Sequence, residues 1–435
     1  MGWWRLCAAL ADGPPVVCAV GLGPSSAVWC AGLDFTRDTR TAVLCGPGQL
    51  RSCHELVGGA LVATVVFDPA FRDGPHLGVR AAHDPAGALG SWTDSAAAAI
   101  CVPDGTRHLD LVSALTALKG CLPNHGPIVV GLGLHRRMSP VELSHLDGFD
   151  LVQHDPDDVV PTAVVDGIPG SVSRVVAEAP YAVAVGVVEL HQYAGVSGGH
   201  KAVAVGCGGR ETISALHHRA RVVSPGVEIG RISGNPFRQA VDALGEAAGC
   251  RLALVYVPAA DCWLFGNPQR VLEVAMERMQ PWTSVDTLAP GAVLEVDPAK
   301  AASFYQASRA ASYLALSPSP PLQPGATLII RAHCTEGLGS ELGFRRALES
   351  VSPPWGSLLT GAVPTGAGAQ RAVILAMVAQ RFKIRVEGCE NPAALEAVGI
   401  DATQNISEPP ATWLRVPCPF QRLPQYANPQ STVSS

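Results

Sequence analysis

Short unbroken apolar runs recur along the chain, and each leads through a polar turn into a longer stretch with helical spacing. The runs 96–102 (AAAAICV), 126–134 (GPIVVGLGL) and 181–190 (YAVAVGVVEL) read as strands buried on both faces, because a strand covered by helices has no need to alternate. LDLVSALTALK (109–119) and SPVELSHL (139–146) follow the first two with helical periodicity. Ser139 is placed to cap the second helix, Pro140 suits its first turn and Glu142 completes a capping box. Farther along, 234–249 reads as a capped helix, 251–258 as a strand and 267–279 as another helix. Residues 280–300 scatter Pro, Gly, Thr and Asp without a sustained stripe and read as a linker or an irregular crossing. Beyond them, YQASRAASYLAL (305–316), GATLIIRAHC (325–334), AQRAVILAMVAQ (369–380) and KIRVEG (383–388) make a second unit of the same kind. The alternation predicts an α/β protein of two domains. The larger N-terminal α/β domain is expected over 1–285, with 1–95 its least legible part, and the smaller C-terminal α/β domain over 296–417. A flexible polar tail is expected over 418–435, and the active site in the crevice between the domains.

Open α/β sheets bind ligands beyond the carboxyl ends of their strands. Three polar groups stand at such ends: the Asp104/Arg107 turn, His135 and His191. In GVSGGHK, Gly198 and Gly199 suit either a phosphate cradle or a tight turn with positive φ. Lys201 follows, one of only four lysines; it is either a solvated surface residue or a desolvated amine able to form a covalent bond. His217, after the helix start at GRETI, is either a hydrogen-bonded structural residue or a metal ligand facing the crevice. His200 is expected at the surface.

Composition narrows the partners. The chain of 435 residues is 48% hydrophobic, enough for a substantial core, and only 16% charged with net charge −6, so it offers no basic stripe for nucleic acid. Its 13 cysteines lack the paired short spacings of a structural zinc site, and their odd number fits a reducing compartment. The opening MGWWRLCAALADG is too short in apolar residues for a signal peptide, and no run approaches a membrane span. A cytoplasmic location, with no membrane and no nucleic-acid partner, is the expectation.

Taken together, the spacing of His191, Lys201 and His217 within ELHQYAGVSGGHKAV…ETI…H resembles the nickel-pincer-nucleotide-dependent lactate racemase family. PDGTR (103–107), GLHRRMSPVEL (133–143), HDPDD (154–158), YQASRA (305–310) and HCTEGLG (333–339) are similar to that family's motifs and come in the same order. The likeness covers 96–415 in patches. It implies a racemase or epimerase of a small 2-hydroxy acid, working by proton-coupled hydride transfer. Lys201 would carry the nickel-pincer nucleotide (nickel pyridinium-3,5-bisthiocarboxylic acid mononucleotide) covalently, and His217 would ligate its nickel. Asp104, Arg107, Gly198 and Gly199 would support the cofactor, His135 and His191 would be the paired acid/base residues, and Gln306 and Arg309 would hold the substrate carboxylate. Cofactor-making enzymes are the implied protein partners. The sequence departs from the family pattern at His108, Leu134 and Arg137, and at Arg309, where a lysine is expected. Two other readings stand beside this one: a non-catalytic carrier or paralogue that binds the cofactor, and a zinc-type hydrolase built on His191 and His217.

Overall fold

The computed structural model describes residues 78–361, 366 and 368–427, together with the course of five short strands before them. Those five form an antiparallel sheet in the order Val28–Cys30, Val16–Leu22, Trp3–Ala8, Val43–Gly46, Gln49–Ser52. The rest of 1–77, and 428–435 of the expected tail, lie outside the described residues.

From His83 on, the chain packs as one compact unit that holds two larger sheets. The first contains β1 (Ala99–Pro103), β2 (Ile128–Gly131), β3 (Leu151–Gln153), β4 (Ala182–Val187), β5 (Cys250–Val257) and β6 (Cys262–Gly266). They lie side by side in the order β6-β5-β4-β1-β2-β3, all parallel except β6, which is antiparallel to β5. The unbroken apolar runs are explained by burial: all six residues of β4 and the first four of β1 are inside. Helices predicted from spacing and caps cover the sheet. Asp110 caps Leu111–Cys121 by accepting from the Ser113 N–H at 3.0 Å, and Asn267 caps Pro268–Met279, which packs on β5. The capping box of Ser139 and Glu142 forms as expected, but the helix it starts runs only from Pro140 to Leu143 before tightening into a 3₁₀ turn.

The second sheet contains β7 (Ala289–Glu295), β8 (Leu322–Arg331), β9 (Lys383–Glu387), β10 (Asp401–Thr403) and β11 (Leu414–Val416), wholly parallel in the order β10-β9-β8-β7-β11. The stretch read as a linker thus holds a central strand, in which Ala292, Val293 and Leu294 are fully buried. Its helical stripe was missing because the segment is a strand, and Gly291 breaks the apolar run because the Trp413 ring lies where a Cβ would stand, 2.5 Å away.

Residues 418–427 also differ from the fraying end that their polar composition suggests. Leu423–Tyr426 pairs in parallel with Trp282–Val285, Leu423 is fully buried and Phe420 is 4% exposed. Burying those two apolar side chains contributes about 1.5–3 kcal/mol each, beside the paired backbone.

Candidate active site

The sheet order sets the place of the site. From β1 the chain steps outward to β2 and β3, then returns to lay β4 on the other side of β1, so the connections diverge between β4 and β1. Such a switch point leaves a crevice beyond the carboxyl ends of the strands. The turns after β1, β2 and β4 carry Asp104, His135 and His191, and all three line one cavity of about 760 Å³. Arg107, Gly198, Lys201 and His217 line it as well, and Tyr305, Arg309, Tyr313 and Arg371 close the side contributed by the second half of the chain.

Each imidazole is fixed by a neighbour. His135 Nδ1 lies 2.7 Å from Asp104 Oδ2, while the other Asp104 oxygen accepts from Thr106 N and Oγ1 at 3.1 and 2.5 Å. Burial opposes ionisation of Asp104, but His135, Thr106 and Arg107 outweigh it and hold its carboxyl well below the usual range. His217, at the end of helix Arg210–Leu216, points Nδ1 at the Ile213 carbonyl, 2.9 Å away. A carbonyl only accepts, so Nδ1 carries the hydrogen and Nε2 keeps its lone pair. Phe237 and Tyr193 meet the His217 ring edge-on, with centroids 5.4 and 5.9 Å away, and burial drops its pKa to about 4. His191 is 8% exposed; its Nδ1 faces the backbone N–H groups of Tyr193 and Ala194 at 3.3 and 3.1 Å. Burial, with Lys201 and Arg107 nearby, takes its basicity well below that of a free imidazole.

Lys201 starts a short helix immediately after the glycine turn. Gly198 and Gly199 have φ of +87° and +59°, and a Cβ on Gly199 would stand 2.7 Å from the Pro268 carbonyl oxygen, so the turn needs glycine for both its conformation and its close approach. Gly199 faces the helix Pro268–Met279 and is not part of the cavity wall. Burial, followed by Arg107 and Arg309, lowers the Lys201 amine to about 7, so much of it is unprotonated at neutral pH. His200, expected at the surface, is instead 3% exposed, with Nδ1 3.2 Å from Asp242 Oδ1. Asp242 also receives Arg238, whose Nε donates to the Ala194 carbonyl, so this buried group braces the 194–200 loop from behind.

Arg309 lines the cavity with its guanidinium 5.5 Å from the Tyr305 ring centre. Gln306, on the same helix Phe304–Ala315, is buried with Oε1 unpartnered among the described residues, and lies off the cavity wall. The position beside Arg309 is taken by Arg371, which is 2% exposed and donates to the Ser308 carbonyl at 2.7 Å and to Gln192.

Sequence reasoning missed Arg371 together with Tyr193, Glu189 and Lys300. Glu189 is the bridge of the site: its Oε2 accepts from Arg107 at 2.5 Å and its Oε1 from Lys300 Nζ at 2.9 Å. Burial opposes its charge, yet Lys300 and Arg107 keep its pKa below the ordinary value. A signal existed for Lys300, since lysine is scarce throughout this chain.

Fold and cavity define an open-sheet α/β protein in which one amine, four imidazoles (His218 beside His135, His191 and His217) and several guanidinium groups surround a small-molecule crevice. Residues 88–230, about a third of the chain, match the family model of the lactate racemase N-terminal domain. A lactate racemase of Thermoanaerobacterium thermosaccharolyticum is 25% identical over 250 residues, 52% of this chain and 56% of that protein. One from Lactiplantibacillus plantarum is 29% identical over 138 residues, 29% of this chain and 32% of that protein. The chain thus spans about half and about a third of these curated relatives. Among solved structures, the lactate racemase apoprotein of Thermoanaerobacterium thermosaccharolyticum superposes with TM-score 0.64 at 18% identity, covering 77% of this chain and 87% of that one. A structural-genomics protein from Thermotoga maritima gives TM-score 0.59 at 14% identity, covering 79% and 96%. Both share the fold.

Proposed function

We propose that this protein racemises or epimerises a small 2-hydroxy acid with a nickel-pincer nucleotide linked to Lys201. The observation that carries the reading is the meeting, in one cavity, of an amine whose pKa is about 7 and an imidazole whose Nε2 is left free for a metal. The residues fit the group. An amine of that basicity is a competent nucleophile for a covalent link. Neutral imidazole braced at its other nitrogen is the usual form of a histidine ligand, and nickel accepts it. Among the described residues no three His, Cys, Asp or Glu side chains converge as a metal site, which suits a metal that arrives with most of its donors and leaves a zinc hydrolase on His191 and His217 without a ligand set.

When bound, the cofactor supplies an acceptor for the hydrogen removed from C2 of the substrate as hydride. The chain's own groups do the rest. Arg309, supported by Tyr305 and flanked by Arg371, holds the substrate carboxylate; a planar guanidinium can do so with two parallel hydrogen bonds. His135, its Nδ1 hydrogen engaged by Asp104, turns Nε2 to the C2 hydroxyl and takes its proton, while His191 flanks the same oxygen. Arg107, held by Glu189, and Gly198 shape the cofactor's side of the crevice. The same proposal includes 1–285 and 296–417 as the two domains, cofactor-making enzymes as partners, and a cytoplasmic location.

Co-production with cofactor-making enzymes, followed by intact mass and chiral chromatography of a panel of 2-hydroxy acids, tests this. The expected result is an added mass that maps to Lys201 and enantiomer interconversion, both lost in Lys201→Ala. Added mass without turnover on any acid would instead identify a carrier, and no added mass would reject the proposal.

A further inference from the structure

We infer that the two imidazoles flanking the substrate oxygen are wired in opposite senses: His135 presents a bare Nε2 and accepts a proton, whereas His191 presents Nε2–H and donates a hydrogen bond. The first half follows from Asp104. An ionised carboxylate only accepts, so His135 Nδ1, 2.7 Å away, holds the hydrogen and Nε2 holds the lone pair.

The second half follows from the chain just after His191. The backbone folds so that Tyr193 N–H and Ala194 N–H both point at His191 Nδ1, at 3.3 and 3.1 Å. An amide N–H only donates, so Nδ1 must be the unprotonated nitrogen, and the single hydrogen of the neutral ring sits on Nε2. Turning the ring over would set a carbon against both N–H groups and leave them without an acceptor in a buried loop, where Tyr193 is 4% and Ala194 0% exposed. No hydrogen bond among the described residues engages His191 Nε2, and the residue lines the cavity, so that hydrogen is available to a ligand. The wiring is backbone-borne and independent of any cofactor.

Its meaning for turnover rests on the function proposed above. The C2 oxygen would sit between an acceptor and a donor. The hydroxyl O–H bond would break toward His135 Nε2 while the C2 hydrogen leaves with its electron pair to the acceptor that the bound cofactor would supply, and His191 N–H would steady the oxygen as it becomes a carbonyl. On return the hydride goes back to C2 and His135 gives the proton back to the oxygen. Both hands of substrate would then surrender the hydroxyl proton to the same imidazole.

Long-range ¹H–¹⁵N correlation spectra of histidine-labelled protein without cofactor read the ring tautomers directly, with His135→Gln and His191→Gln identifying the two sets of peaks among 13 histidines. The expected result at neutral pH is hydrogen on Nδ1 of His135 and on Nε2 of His191. Hydrogen on His191 Nδ1, or on both of its nitrogens, overturns the inference. In the loaded enzyme, His191→Gln, which keeps an N–H donor, should stay within about tenfold of the native rate while His191→Ala loses about a hundredfold or more. His135→Gln should lose about 10²–10⁴-fold. A His191→Gln as inactive as His135→Gln would make His191 a second base and reject the division. Absence of racemisation by the native protein would refute the proposed function instead, and the spectra would still decide the wiring.

Discussion

Replacing Glu189 by glutamine should destabilise the protein more than any other single isosteric change in the crevice. The side chain keeps its shape but loses the charge that holds Lys300 and Arg107. Lys300 is 2% exposed and has no route to water without unfolding its surroundings, whereas the Arg107 side chain is 16% exposed and can regain some hydration. At the 2.9 Å separation of Lys300 and Glu189, an effective dielectric constant of about 20 gives an attraction of about 6 kcal/mol. Desolvation offsets part of it in the intact pair, and breaking a buried pair by removing one partner costs about 3–5 kcal/mol. We expect Glu189→Gln to fall in that range. Lys300→Met should cost about 1–2 kcal/mol, because it removes the buried cation itself and leaves Glu189 with Arg107. The double variant should cost less than the sum of the two. Urea unfolding of the cofactor-free protein, followed by circular dichroism and tryptophan fluorescence, measures all three. The pH dependence has a definite sign. The folded pKa of Glu189 is depressed, so its contribution is full above the ordinary carboxyl value of 4.5 and is lost as pH falls through the folded value; native and Glu189→Gln curves should converge in acid. A cost below about 1 kcal/mol for Glu189→Gln, or strict additivity in the double variant, would refute the claim that this carboxylate neutralises a cation cut off from water.

Other outcomes follow from single features of the site. The Lys201 amine, held near 7 by burial and by Arg107 and Arg309, should react with an acylating reagent half-maximally close to pH 7; peptide mass mapping across pH measures it, and a midpoint near that of the other lysines would contradict the burial argument. The same depression means that the unfolded chain holds this proton between about pH 7 and 10 while the native chain does not, so stability should rise over that interval and Lys201→Met should flatten the rise. Gly199→Ala places a Cβ 2.7 Å from the Pro268 oxygen at φ of +59° and should cost about 1–3 kcal/mol in denaturant unfolding. Asp104→Asn frees the His135 ring to take either tautomer and should lower turnover of the loaded enzyme about 10²–10⁴-fold with little change in KM. His217→Ala should keep the mass added at Lys201 but lose nickel on gel filtration, as elemental analysis would report.

Much of this crevice was legible because strand ends and caps are local. The turns after β1, β2 and β4 could be located from apolar runs alone, which is why Asp104, His135 and His191 were singled out, and the Ser139/Glu142 box was readable from four residues. What stayed hidden depends on distant contacts. Glu189 and Lys300 are 111 residues apart, and Gln192 meets Arg371 across 179; no periodicity relates such pairs. His200 looked like a surface imidazole because Asp242, which draws it inside, stands 42 residues later. β7 was hidden by Gly291, whose absence of a side chain is dictated by Trp413 in a neighbouring loop. The placing of Gln306 turned on helix rotation: Arg309 reaches the cavity, but Gln306 on the same helix does not.

The segment that carries Phe420 and Leu423 bears on how the crevice comes into being. Phe420 lies 5.0 Å beneath the Lys300 ammonium, meets Tyr313 edge-on, and accepts the Leu190 N–H through its carbonyl at 2.7 Å, next to His191. A nascent chain therefore cannot finish this pocket while residues 420–426 are still inside the ribosome. Until they emerge, the Leu190 N–H next to His191 lacks the carbonyl that accepts it.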